Sequence, residues 1–293
     1  MQHLVDTNDF TKAQLATIMR DASNFKKQMP NQLLRDKLLI TLFFESSTRT
    51  RSSFEVAAKR LGASVVHLDP SKSSTSKGES LEDTFANLCA MEPDGVIIRH
   101  EYNNTPQKLA DKELTSVINA GAGNYAHPTQ ALLDYFTMLE YFQTDDLSDK
   151  TIAIVGDIVS SRVAASGIRL FTRMGMRVVL VAPKPFMPDQ DLPKYEHIDD
   201  VINSVDIIMS LRAQLERHKA PIFEDYKEYA KEYCISRERM GNRDILLLHP
   251  GPVMRNIDIS DEMLEDPRCK VLTQVKNGVF VRMAILKALL LDY

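Results

Sequence analysis

Residues 38–61, LLITLFFESSTRTRSSFEVAAKRL, constrain the fold more than any other stretch of the chain. The segment opens on an apolar run, 38–44, whose length and β-branched and aromatic content predict a buried strand. It closes on Phe54, Ala57, Ala58 and Leu61, spaced i, i+3, i+4, i+7 as on the buried face of a helix. Between them, Ser46 to Ser53 carry six hydroxyls and two guanidiniums in eight residues. A strand turning into a helix directs free backbone N–H groups and the positive end of the helix dipole at whatever sits there. Hydroxyl donors and arginine forks suit a tetrahedral dianion. Ser and Thr also favour helix N-caps. A cap needs one hydroxyl, however, so this cluster favours phosphate.

The chain has 293 residues, 44% apolar and 26% charged, enough for two domains, at about 150 residues apiece. A net charge of −4 argues against a general nucleic-acid binder. Cys89, Cys234 and Cys269 form no CxxC pair, so neither a disulfide framework nor a zinc site is expected, and a reducing compartment is. Met1 to Val5 lack the basic and apolar regions of a secretory signal, and no apolar run is long enough to span a membrane. A cytoplasmic protein is the expectation.

Thr11 and Gln14 form the pattern of a capping box, predicting a helix to about Lys27. A second strand is expected at 64–68. Residues 69–78 then read as a polar loop, and a helix resumes at Ser80 with Glu82 and Asp83 in its first turn. Strands are expected at 95–98, ending at Arg99, and at 114–118. The helix after His127 starts on Pro128, which suits a first helical position. The composition turns acidic at 143–150, and further strands follow at 151–155, 177–181, 206–209 and 245–248. Helical segments lie near 161–174 and 222–231, and an apolar helix at 278–291. Strand–helix alternation in both halves predicts two α/β domains, each a mostly parallel sheet flanked by helices, with the active site in the cleft between them. The domains are expected at 1–133 and 134–276, with the helix at 277–293 returning to the first.

A dinucleotide reading of the second half fails, because Gly156-Asp157-Ile158-Val159-Ser160-Ser161 follows its first strand in place of GxGxxG. No GxxxxGK[ST] occurs. What recurs instead is cationic or imidazole groups after strands: Arg49, Arg99 and His127 in the first half, Arg162, Arg212 and His249 in the second. Singly, each suits a surface or packing role. Together they line the edge where open α/β sheets bind ligands, and imply small polyanions.

Ser47-Thr48-Arg49-Thr50-Arg51 with Ser53-Phe54-Glu55, and His127-Pro128-Thr129-Gln130 with Asp134, resemble the aspartate/ornithine carbamoyltransferase family. Ser210-Leu211-Arg212-Ala213-Gln214, and His249-Pro250-Gly251-Pro252 with Arg255, resemble its aspartate-specific branch. Ornithine-specific members carry His-Cys-Leu-Pro and Ser-Met-Gly there. Ser73, Lys77-Gly78-Glu79 and 277–284 fit the resemblance as well. In two departures, Val163 stands where some members have an aspartate-touching Thr, and Ser76 where some have a second Lys.

The resemblance implies transfer of the carbamoyl group of carbamoyl phosphate to the amine of L-aspartate, in de novo pyrimidine biosynthesis. It implies carbamoyl phosphate on Ser47, Thr48, Arg49, Thr50, Arg99, His127 and Gln130, with carbonyls near Pro250, Gly251 and Pro252 receiving the carbamoyl NH₂. Aspartate falls to Arg162, Arg212, Gln214 and Lys77. Arginines suit its two carboxylates, whereas ornithine would need acids. Catalysis is expected from Arg49, Thr50, His127 and Lys77, with His127 a neutral donor among cations. No covalent adduct, cofactor or metal is expected. The resemblance further implies a homotrimer with sites shared between chains, the loop at 69–78 serving the neighbour, and admits regulatory chains.

Overall fold

The buried apolar run that follows Lys37 seeds a strand, β1 (Leu38–Phe43), in a computed structural model describing residues 2–68, 79–217 and 222–291. The chain divides into two compact units, Met1–Leu133 with Val275–Tyr293, and Asp134–Gln274.

In the first unit α1 (Lys12–Lys27) starts at a capping box in which Thr11 and Gln14 bond each other's backbone N–H. After β1 come α2 (Thr48–Arg60), β2 (Ser64–Leu68), α3 (Leu81–Cys89), β3 (Gly95–His100), α4 (Thr105–Ala110) and β4 (Ser116–Ala122). The strands form a parallel sheet in the order β2-β1-β3-β4. Ile40, Leu42, Val96, Ile98 and Val117 pack with Phe85, Leu88 and Leu109. Each such burial contributes about 2 kcal/mol.

α5 (Pro128–Phe142) carries the chain into the second unit. There β5 (Thr151–Val155), α6 (Arg162–Arg173), β6 (Arg177–Val181), β7 (Lys194–Tyr195), β8 (Ile207–Ser210), α7 (Tyr226–Tyr233), α8 (Arg237–Met240), β9 (Leu246–Leu248) and α9 (Asp261–Leu264) follow. A second parallel sheet results, ordered β7-β6-β5-β8-β9. α10 (Val271–Leu290) returns to the first unit, where Lys26 reaches Asn277 at 2.9 Å and Lys287 reaches Asp21 at 2.8 Å.

Several boundaries differ from the sequence reading. β4 begins at Ser116 rather than 114 and continues through Asn119, which a polar residue should oppose. Asn119 stays buried because its amide donates to the Val5 carbonyl at 2.9 Å and its Oδ1 accepts the Gly121 N–H at 2.8 Å. β3 includes Arg99 and His100. The helix expected at 222–231 is α7, started by Asp225, whose carboxylate accepts the N–H groups of Lys227 and Glu228. α10 starts at Val271, before Gly278; its first turns leave Leu272 and Val275 exposed, so they carry no apolar face by which a sequence reading could extend the helix. α4, α8, α9 and β7 are too short to carry a periodicity and were not expected. The polar loop at 69–78 lies outside the described residues.

Candidate active site

In α2 the intrahelical ladder starts with the Arg51 N–H donating to the Ser47 carbonyl at 3.1 Å. The amides of Thr48, Arg49 and Thr50 therefore have no helix acceptor. Ser47 is the N-cap by position, yet its hydroxyl makes no cap bond. Thr48 and Arg49 are exposed and Thr50 is buried, so the turn presents amides, hydroxyls and a guanidinium together. Desolvation by surrounding protein lowers the Arg49 pKa from its ordinary value; a guanidinium remains charged regardless.

The neighbouring strand ends complete this group. Arg99 donates through Nε to Glu45 Oε2 at 3.1 Å and through Nη1 to the Ala120 carbonyl at 3.3 Å. The Phe44 N–H donates to the Arg99 carbonyl at 2.9 Å, which ties the turn to β3. His127 and Gln130 are buried at the start of α5, linked by the Gln130 N–H to the His127 carbonyl at 3.0 Å. β1, β3 and β4 are adjacent in the sheet, and the strand order reverses between β1 and β3. Ligands of open α/β sheets bind at such a switch point.

The second unit repeats the plan. Its order reverses between β5 and β8. Arg162 is the buried first residue of α6, behind a Ser161 cap that accepts the Ala164 N–H at 3.2 Å. Arg212 follows β8, where the Leu211 N–H donates to the Val155 carbonyl of β5 at 2.8 Å. Gln214 Nε2 approaches the Ser160 carbonyl at 3.4 Å, in the segment leading to Arg162. Arg212 pairs with Glu216, whose other oxygen accepts the Tyr226 hydroxyl at 2.8 Å. Burial raises the Glu216 pKa, and the bonds from Tyr226 and Arg212 outweigh it, leaving the carboxyl below its ordinary value. After β9, Gly251 adopts φ +69° and the Gly251–Pro252 peptide is cis.

Lys77 and Ser73 lie outside the described residues. Glu79 is described, and accepts from Thr84 and Asn87, both at 2.8 Å. His249 does not join the ligand-facing groups, since its side chain is fully buried against Asp258 at 3.1 Å. Sequence reading missed Glu45, Glu216 and Asp258. Only Arg212–Glu216, at i, i+4, carried a local signal. Among the described residues, no three His, Cys, Asp or Glu side chains gather to hold a metal ion, and no helix is long and apolar enough to cross a membrane.

Two parallel α/β units, each with guanidiniums at the switch point of its own sheet, define a two-domain protein for small anionic ligands. Residues 2–140 match the aspartate/ornithine carbamoyltransferase carbamoyl-P binding domain, and residues 148–289 match the Asp/Orn binding domain of the same family. The chain belongs to the aspartate/ornithine carbamoyltransferase family. It is 75% identical over 292 residues to the aspartate carbamoyltransferase catalytic subunit of Sulfurovum sp., covering 100% of this chain and 99% of the relative. The catalytic subunit of M. jannaschii aspartate transcarbamoylase superposes with a TM-score of 0.85 at 32% identity, over 99% of this chain and 98% of that one. Aspartate transcarbamoylase from Trypanosoma cruzi, in complex with carbamoyl phosphate and aspartate, gives 0.87 at 29% identity, over 97% and 95%.

Proposed function

We propose that this chain transfers the carbamoyl group of carbamoyl phosphate to the amine of L-aspartate, releasing phosphate and N-carbamoyl-L-aspartate for pyrimidine biosynthesis. The observation that carries the reading is the arginine pair, Arg162 and Arg212, following adjacent strands of the second sheet. Two guanidiniums match the two carboxylates of aspartate and repel the side-chain ammonium of ornithine.

Carbamoyl phosphate lies on Ser47, Thr48, Arg49, Thr50 and Arg99, with Gln130 on the carbamoyl NH₂ and carbonyls of the 250–252 turn taking its remaining hydrogen. Arg162, Arg212, Gln214 and Lys77 hold aspartate. The neutral amine attacks the carbamoyl carbon directly, a tetrahedral oxyanion forms, and phosphate leaves with the C–O bonding pair and takes up the proton that the attacking nitrogen gives up. Arg49, Thr50 and His127 donate to that oxyanion, and preorganised donors of this kind lower the barrier most. Placing two anions side by side costs Coulomb energy, which the surrounding cations offset. The working assembly is a cytoplasmic homotrimer in which Lys77 serves a neighbour's site.

A carbamoyl-transfer assay with a panel of amines tests the reading. Carbamoyl-aspartate and phosphate formed in equal amounts, with no product from ornithine, is the expected result. Transfer to ornithine instead, or binding without turnover, overturns it.

A further inference from the structure

Below the turn at 249–252, the second unit holds buried polar groups that the substrate assignments leave unused. The side chains of His249 and Asp258 are both 0% exposed, with Nε2 3.1 Å from Oδ2. The Gly251 N–H meets His249 Nδ1 at 2.8 Å. A backbone amide can only donate, so Nδ1 accepts, and the ring proton sits on Nε2 facing Asp258. The same carboxylate accepts the Met254 N–H at 2.8 Å on Oδ2 and the Ala213 N–H at 3.1 Å on Oδ1. Its backbone carbonyl accepts the Ile235 N–H at 3.0 Å and the Ser210 hydroxyl at 3.3 Å. The His249 N–H donates to Gln274 Oε1 at 2.9 Å.

Ala213 stands between Arg212 and Gln214, the residues assigned to aspartate. Gly251 stands in the turn assigned to the carbamoyl NH₂. One carboxylate therefore bonds the backbone of the first segment directly, and the second through an imidazole. We propose that Asp258 is a positioning residue for both substrates, orienting the Arg212–Gln214 segment through Ala213 and the Gly251 carbonyl through His249. The inference rests on the proposed reaction and adds to it a residue that touches neither ligand.

Asp258→Asn keeps the volume but supplies one acceptor oxygen where the carboxylate has two. Facing Met254 and His249, that oxygen keeps two bonds of three and sets the amide nitrogen against the Ala213 N–H, so the Arg212–Gln214 segment shifts. His249→Leu removes the acceptor of the Gly251 N–H, and there the turn shifts instead.

The test compares calorimetric binding of carbamoyl phosphate, acetyl phosphate and inorganic phosphate, together with the KM for aspartate. Acetyl phosphate carries a methyl in place of NH₂ and so does not sense the carbonyls of the turn. In Asp258→Asn, the KM for aspartate should rise about tenfold, as loss of one hydrogen bond implies, with carbamoyl phosphate binding retained. In His249→Leu, carbamoyl phosphate binding should fall by a similar factor toward that of acetyl phosphate, with inorganic phosphate and acetyl phosphate unchanged in both variants. His249→Asn places an acceptor oxygen where Nδ1 stood and should retain part of the carbamoyl preference, whereas His249→Leu should retain none. That pair decides the matter if Asp258→Asn fails to fold. A lower Tm with both ligand constants intact, or equal losses for all three phosphates, overturns the inference. Wild-type protein that makes no carbamoyl-aspartate overturns the proposed reaction and this inference with it; an active wild type with unaffected variants overturns this inference alone.

Discussion

The guanidinium of Arg282 on α10 donates through Nη1 to Ser53 Oγ on α2 at 2.9 Å. Its Nη2 reaches Thr129 Oγ1 on α5 at 3.3 Å, and its carbon lies 5.0 Å from the centre of the Phe54 ring. Arg282 is 3% exposed and joins α2 and α5, the two helices whose N-termini carry candidate contacts for carbamoyl phosphate.

Gly278 follows from that relationship. Gly→Ala inside a helix ordinarily stabilises by about 1 kcal/mol. Here the new Cβ would lie 2.7 Å from Arg282 Nη1 and 3.0 Å from Leu133 Cδ2. The guanidinium is held by Ser53 and Thr129 and cannot swing aside at little cost. Gly278→Ala should therefore destabilise, by on the order of 1–3 kcal/mol, and weaken phosphate binding. Urea unfolding checks the sign; a stabilised variant refutes the argument.

Arg49→Ala should lower kcat by roughly 10²–10³, the loss expected for one oxyanion donor. Arg49 sits in the turn whose first three amides lack helix acceptors. Steady-state kinetics decide: near-normal kcat with only KM altered removes Arg49 from the chemistry.

Arg212→Ala should abolish aspartate recognition and leave carbamoyl phosphate binding largely intact. Arg212 belongs to the unit Asp134–Gln274, whereas the phosphate turn belongs to the other. Calorimetry that finds equal loss of both ligands rejects this division.

Asp266 makes a pH-dependent contribution to stability. Hydrogen bonds from Arg268 Nε and Nη2, at 2.8 and 2.9 Å, draw its carboxyl pKa down from 3.8 to about 2. The folded-state value is the lower one, so the stabilisation is present above pH ~4 and lost as pH falls toward about 2; at neutral pH it amounts to up to about 2 kcal/mol. The Tm gap between wild type and Asp266→Asn should be widest near neutrality and close over that acid window. A gap independent of pH sinks the assignment.

Lys77→Ala and Arg49→Ala proteins should each be nearly inactive. If Lys77 serves another chain's Arg49, refolding an equal mixture should restore activity, with about one site in four intact in a closed ring assembled at random. Verified co-assembly with no gain over the separate variants would end the shared-site proposal.

The sheets were legible because their strands are short apolar runs bounded by polar turns, as at 151–155 and 177–181. The phosphate turn was legible because its donors are contiguous. Asn119 misled because its strand position depends on Val5, far away in sequence. Gly278 obscured the start of α10 because its reason for being glycine is Arg282 and Leu133. His249 shared the pattern of a ligand-facing group, and only the packing of Asp258 against it turns it inward. What single-chain patterns miss, in each case, is a partner brought near by the fold.

The second unit begins and ends on a hydrogen bond: Gln274 Nε2 donates to Asp134 Oδ1 at 2.7 Å. Everything this unit needs therefore lies in one uninterrupted stretch of chain. The first unit is different, because α10 supplies it with Val281, Met283, Ala284, Ile285 and Leu286, all fully buried. Residues 134–274 can close their own core without α10, whereas the earlier unit leaves apolar surface bare until α10 covers it. The stretch whose synthesis starts first thus depends on the helix whose synthesis ends last.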